Sequence, residues 1–397
     1  MNNTSSREIW ITGIGLASSL GEGLDQHWDA LEARRINVDQ TTFAPYVVHP
    51  ISKLNFDAQI PKKGDQRQME AWQRIGTYAA GLALGSAGVK GNTEILSRMD
   101  MIVAAGGGER DLAVDSAILN QQAQGNAAPG MLNERLMSDL RPTLFLAQLS
   151  NLLAGNVSIV HGVTGSSRTF MGEEAAGVDA FRIALARMMS GQSDIALVGA
   201  AHNGERKDLL MLYEFGGFPL RGKFAPVWAR SIGESQGFAL ASGGVFLVLE
   251  QKEHALARGA KPFAKLSCVV ADHARRKSKG SLTSTLKSLW TKLGAGPDTP
   301  VLTGATGAAD ATEEERSFLE NVPHGPVRAL GTSFGHLMEA QFALGLALAA
   351  LSIARNKLFA PNDPTGFELE TAASPSQIAV VTAGHWRGEG MALVESV

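Results

Sequence analysis

The stretch from Gly165 to Asn203, GSSRTFMGEEAAGVDAFRIALARMMSGQSDIALVGAAHN, constrains the fold more than any other. It reads in order as a turn, a buried apolar segment, a helix and a strand. Gly165 and Gly172 punctuate the approach. From Ala175 to Met189 the residues Val178, Phe181, Ile183, Leu185 and Met188 recur at mixed three- and four-residue steps, the spacing of a largely buried helix. Gly191 is the expected stop residue. Ile195–Gly199 is then a short apolar strand of the kind that lies inside a sheet.

The rest of the chain repeats this grammar. Glu8–Leu16 is a strand entering a glycine turn, Ser18–Gly23 a loop, and Leu24–Arg35 an amphipathic helix with Trp28 and Leu31 inward. The pattern predicts one long helix over Gln66–Gly88, a core strand over Met101–Gly108 and a strand over Val245–Glu250. Glu253–Gly259 reads as a helix, Pro300–Gly304 and Ile378–Ala383 as buried strands, and Gln341–Arg355 as an Ala- and Leu-rich helix. Strands alternating with helices in two successive halves argue a layered α/β fold, with candidate halves 1–252 and 253–397. A chain of 397 residues is long enough for two domains or one duplicated unit.

Composition removes several function classes. A net charge of −3 gives no reason to expect a nucleic-acid partner. Cys268 is the only cysteine, so an intrachain disulfide and a Cys-based zinc cluster are excluded. It lies in the apolar run Leu266–Val270 and reads as a buried small hydrophobe. The longest apolar run, Phe342–Ala354, falls short of the roughly 20 residues a membrane span needs. Met1–Glu8 is polar, unlike a secretory signal, so a cytoplasmic location is expected. Nothing calls for a metal or an organic cofactor. The dinucleotide fingerprint is not met at Ile11–Gly15, where the glycine spacing differs and no acidic residue ends a second strand.

Several spaced motifs together resemble the β-ketoacyl synthases, the condensing enzymes of fatty acid and polyketide synthesis. They are Ile11-Thr-Gly-Ile-Gly15, Leu20-Gly21 and Trp28 at the N-terminus, then Gly165, Gly191 with Asp194, and Gly199-Ala-Ala-His202. Further on come Pro226, Arg230 and Gly233, then Gly237-Phe238, Gly243-Gly244 and a strand ending in Glu250. Met69-Glu70 stands near a Met-Asp pair of the family. Asn133–Val160, with Pro142 in a helix, resembles the segment that faces the dimer partner. The resemblance implies the thiolase fold, duplicated halves in an α/β/α/β/α layering.

It also assigns the chemistry position by position. The family uses a cysteine nucleophile, two histidines that hold the malonyl carbonyl, a lysine, and backbone amides as an oxyanion hole. Counting from either side puts Glu174 at the cysteine position, with Glu173 beside it. Gly304 stands at the first histidine, with Thr306 and Glu315 retained downstream. Gly331 stands at the lysine, and His336 is the retained second histidine. The C-terminal glycine loop reads Gly384-His-Trp-Arg-Gly388-Glu-Gly390, where His385 could replace a lost histidine and Trp386 and Arg387 would plug the pocket mouth. Thr306, His385, Trp386 and Gly388 are therefore the expected substrate-binding positions. A carboxylate at a helix N-terminus is favoured by the dipole and free amides, so Glu174 is expected to fill the oxyanion hole with its own charge.

The pattern resembles the chain-length factors, cysteine-less partners of ketosynthases. It implies a subunit without independent condensing activity that shapes acyl length beside a cysteine-bearing ketosynthase. An acyl carrier protein and a dimer, with such a synthase or with itself, are the expected partners. The alternatives are a malonyl-carrier decarboxylase or altered-site synthase using Glu174 and His336, and a non-catalytic acyl-binding homodimer. Arg275–Lys279 reads either as a solvated loop or as a docking patch for an acidic carrier.

Overall fold

The computed structural model describes residues 7–125, 128–230 and 235–397. Gly233, one of the motif positions above, lies outside the described residues. Ten strands carry the fold: β1 (Ile9–Ser18), β2 (Asp100–Ala104), β3 (Ser167–Phe170), β4 (Ile195–His202), β5 (Gly243–Gln251), β6 (Ala264–Asp272), β7 (Val301–Thr303), β8 (Val327–Ala329), β9 (Gln377–Ala383) and β10 (Glu389–Glu395). They hydrogen bond in the order β8-β7-β9-β10-β6-β1-β5-β4-β2-β3, with a short arm at Gly21–Glu22 on β1.

The order contains a repeat. From its outer edge the first group runs β3-β2-β4-β5-β1 and the second β8-β7-β9-β10-β6. In each, three parallel strands are followed by two antiparallel ones. The groups meet at a narrow seam, Trp10 opposite Lys265 and Ile11 opposite Ala264. A chain that repeats five strands in the same order and sense carries an internal duplication.

Helices fill three layers. Glu173–Met189 and Gln341–Ala354 pack against each other and between the two strand groups, inside the largest apolar cluster. Gln341–Ala354 is buried at every residue up to Ile353, as a helix apolar all round must be. Gly177 lets the first of these helices meet the turn before the second. A Cβ there would lie 2.3 Å from the Glu339 carbonyl oxygen. Ala71–Ser86 covers the outer face of β1 and β5, and Ser281–Leu293 with Ala309–Glu320 covers that of the second group. In β1, a Cβ on Gly15 would fall 2.0 Å from the Ala79 carbonyl oxygen, so the glycine serves close helix packing within a strand that continues to Ser18, where a turn was expected.

Four local expectations need correction. The helix predicted over Gln66–Gly88 breaks at Met69–Glu70 into Lys63–Gln68 and Ala71–Ser86. The Glu70 amide donates to Gln73 Oε1 (2.9 Å), so a capping residue interrupts a continuous apolar pattern. Pro142 lies between helices Met131–Asp139 and Leu144–Ala147, outside both, because it cannot supply an amide to a helix interior. The segment after Gly165 is not buried. β3 sits at the sheet edge, paired only with β2, and its residues are exposed or half-buried. Cys268 is half-buried rather than buried, packed at the margin of an apolar cluster.

Candidate active site

The site is assembled where three chain segments end. Gly172 and Glu173 both take positive φ, 136° and 56°, and the chain turns abruptly into helix Glu173–Met189. A non-glycine residue in this region is uncommon and strained by about 1 kcal/mol or more. The turn points Glu174 into the protein, where it is 1% exposed. The second segment is the Gly335 turn after the short helix Leu330–Phe334, which delivers His336, 0% exposed. The third is the loop between β9 and β10, which delivers His385, 4% exposed.

All three meet at one carboxylate oxygen. Glu174 Oε1 accepts from His336 Nε2 at 2.7 Å, from the His385 backbone amide at 3.0 Å and from His385 Nδ1 at 2.9 Å. Glu174 Oε2 and His336 Nδ1 are buried without a partner among the described residues. Burial would raise the Glu174 carboxyl, but the charge of His385 and the bond from His336 outweigh it and hold the carboxyl well below its ordinary range. Burial lowers His336, against the bond it donates to Glu174. His385 is also penalised by burial, yet the Glu174 charge wins and raises it. The arrangement is an ionised Glu174 paired with His385, with neutral His336 as a further donor. That tautomer explains the empty lone pair at His336 Nδ1.

Glu173 forms a second layer. It accepts from Tyr213 Oη (3.2 Å) through Oε1 and from Trp386 Nε1 (2.9 Å) through Oε2. Its Oε1 also lies 4.0 Å from His385 Nε2. Tyr213, Phe218 and Phe238 pack edge-on around the His385 ring and keep water from it. Trp386 is half exposed, with the Arg387 guanidinium over its ring at 4.6 Å. Two cavities flank this wall. One of about 500 Å³ is lined by Glu173, Tyr213, His202 and Glu339, the other of about 600 Å³ by His385, Trp386, Phe218 and Arg276.

The remaining predicted positions divide. Gly388, at φ 82°, packs against the helix start, and a Cβ there would meet that of Ala175 at 2.6 Å. Gly304 has Gln341 Cγ and Thr382 Oγ1 at 3.1 and 3.2 Å from an ideal Cβ, so any side chain there would press on Gln341 and Thr382. Gly331 would place a Cβ 2.4 Å from the Ala305 carbonyl oxygen, which leaves no path for a lysine. Thr306 serves its own loop. Its hydroxyl accepts from the Ala308 amide and its carbonyl accepts from Arg230. Arg275, Lys277, Ser278 and Lys279 are exposed, as a solvated loop requires, and Arg276 is the exception: it holds the buried Glu389 and the Gly384 carbonyl, both at 2.8 Å.

Sequence reasoning missed Tyr213 and the buried pair His202–Glu339, whose Nδ1 and Oε2 are 3.3 Å apart. Glu339 follows His336 by three residues in the same turn, which was the one available signal. Nothing local marks Tyr213.

Comparison with known proteins settles the family. Residues 6–255 match the model of the β-ketoacyl synthase N-terminal domain. The chain belongs to the β-ketoacyl synthase family. It is 26% identical over 275 residues to 3-oxoacyl-(acyl-carrier-protein) synthase 2 of Vibrio cholerae, a match covering 66% of this chain and 62% of that protein's length. It is 27% identical over 381 residues to the tetracenomycin polyketide synthase ketoacyl synthase beta subunit of Streptomyces glaucescens, 90% of this chain and 88% of the relative. Among solved structures, the ishigamide ketosynthase/chain length factor superposes with a TM-score of 0.78 at 19% identity, covering 99% of this chain and all of the other. A β-ketoacyl synthase from Burkholderia phymatum gives 0.75 at 19% identity, over 98% of this chain and all of that one. The layered, duplicated architecture is the thiolase fold of the ketosynthases. Among the described residues no helix is long and apolar enough to cross a membrane.

Proposed function

We propose that this chain is a ketosynthase-like subunit of fatty acid or polyketide synthesis that does not condense by itself and shapes the acyl chain beside a cysteine-bearing ketosynthase. One observation carries the reading. At the helix start where the family frame has its cysteine stands a buried carboxylate whose bonded oxygen already takes three donors. An acyl carboxylate would be a mixed anhydride, and its formation would expose three buried donors. The His385 amide, a donor suited to stabilising an oxyanion, is spent on Glu174. His336 is committed to the same oxygen, which argues against the decarboxylase reading. Gly331 has no room for the missing lysine.

Partnering is supported by the outer edge of β3, which is unpaired among the described residues, and by exposed apolar side chains. Met171, just after β3, and Leu212 line one cavity and are 65 and 60% exposed, and exposed apolar surface beside a strand edge marks an interaction surface. The similarity to a ketoacyl synthase beta subunit and to a ketosynthase/chain length factor favours a synthase over a second copy. An acyl carrier protein belongs to the proposal. A similar ketosynthase, at a TM-score of 0.74, is known in complex with one. The division into halves 1–252 and 253–397 is part of the same reading, and so is the assignment of Thr306, His385, Trp386 and Gly388 to the acyl path.

Reconstitution tests it. The isolated chain should give no condensation of acyl and malonyl carrier proteins. Addition of a cysteine-bearing ketosynthase from the same source should give a stable heterodimer and chain extension. Robust condensation by the chain alone would overturn it.

A further inference from the structure

Glu174, His336 and His385 bring together two imidazoles and one carboxylate, and their donor atoms all lie within 4.8 Å of one another. From this geometry we propose that the three residues form a binding site for one divalent transition-metal ion of the zinc class. The site goes beyond the partner-subunit reading and does not depend on it.

Donor type, distance and support agree. Two histidines and a glutamate are a known donor set for zinc with a further position open. The ligand atoms would be Glu174 Oε1, His336 Nε2 and His385 Nδ1, the atoms now joined at 2.7 and 2.9 Å. Zinc–ligand bonds of about 2.0–2.2 Å in a tetrahedral arrangement put ligand atoms roughly 3.3 Å apart. The two hydrogen-bonded contacts would therefore open by about 0.5 Å, and the two imidazole nitrogens, within 4.8 Å of each other, would settle at the same spacing, through side-chain torsions on three separate segments.

One buried atom points the same way. Glu174 Oε2 has no hydrogen-bond partner among the described residues, and a metal at Oε1 would be within reach of this second oxygen. When His336 Nε2 binds a metal, its proton moves to Nδ1, whose lone pair is otherwise bare. His385 binds through Nδ1 and keeps its Nε2 proton. If His385 starts as the imidazolium, its second proton leaves to solvent. The Nε2–H then faces Glu173 Oε1, 4.0 Å away, in the carboxylate–histidine–metal relation that orients ligating imidazoles. Glu173 is itself fixed by Tyr213 and Trp386.

Zinc titration of the chelator-dialysed isolated chain by calorimetry, with cobalt absorption as a second readout, tests the site. One equivalent should bind. His336→Ala and His385→Ala should each weaken binding at least tenfold. Glu173→Gln, which removes no ligand, should weaken it about tenfold by releasing His385. His273→Ala, in the exposed loop after β6, should leave it unchanged. Circular dichroism of each variant verifies the fold, and Glu173→Gln keeps the test decisive if a histidine variant does not fold. No stoichiometric binding, or binding that all three site variants leave intact, would overturn the proposal. The reconstitution result above would stand in either case.

Discussion

Replacing Glu174 by alanine separates a structural carboxylate from a catalytic one by the sign of the stability change. A strained catalytic group is commonly held at a cost to stability, and its removal tends to stabilise. Glu174 is different, because it is 1% exposed and its Oε1 satisfies three donors. Glu174→Ala strands those donors and leaves His385 without its counter-charge. Breaking a buried pair from one side costs about 3–5 kcal/mol. With an unfolding entropy of roughly 2.1 cal/mol/K per residue, 397 residues give about 0.8 kcal/mol/K, so the loss corresponds to a fall in Tm of about 4–6 °C. Glu174→Gln keeps the shape and one acceptor and should fall about half as far. The assay is thermal unfolding of the isolated chain with chelator present, so that metal binding does not enter. A Tm of Glu174→Ala at or above that of the parent would refute the reasoning.

Other outcomes follow from neighbouring geometry. Gly304→His should lower stability measurably in denaturant unfolding, since its ring must displace Gln341, and pairing it with Gln341→Ala should recover part of the loss. Gly388→Val, forced against Ala175 at positive φ, should cost about 2 kcal/mol or more in the same assay. Glu315 gives a pH dependence. Burial pushes its carboxyl up to about 8, against the bond from Thr303 and the charge of Arg276. A carboxyl whose folded pKa is raised contributes stability present below its ordinary value of 4.5 and lost as pH climbs through 8. Glu315→Gln should therefore flatten the fall in stability between pH 5 and 9. At pH 9 it should exceed the parent by a few kcal/mol, because each pH unit between the unfolded and folded values costs the parent about 1.4 kcal/mol.

The legible parts of the sequence were those set by local spacing. Helix period and glycine punctuation act over a few residues and placed the helix and strand around Glu174, while Glu174 itself was singled out by the resemblance, counting from Gly165 on one side and Gly191 with Asp194 on the other. The absent side chains at Gly304 and Gly331 could be read directly. His385 was visible only as a residue that could substitute for a lost histidine, since its approach to Glu174 spans 211 residues and depends on how β9 ends. Tyr213 and the His202–Glu339 pair depend on helix placement across the core, which no window of sequence encodes. The burial expected after Gly165 failed for a related reason. β3 lies at the sheet edge, where its polar Ser167 and Arg168 are exposed.

The most direct measurement is intact-mass spectrometry of this chain mixed with a cysteine-bearing ketosynthase from the same source, after incubation with acyl carrier protein. Acyl mass on the ketosynthase alone, with this chain at its unmodified mass in the same active complex, is the expected result. Stoichiometric acyl mass on this chain, at Glu174 or at any other residue, would contradict the central claim.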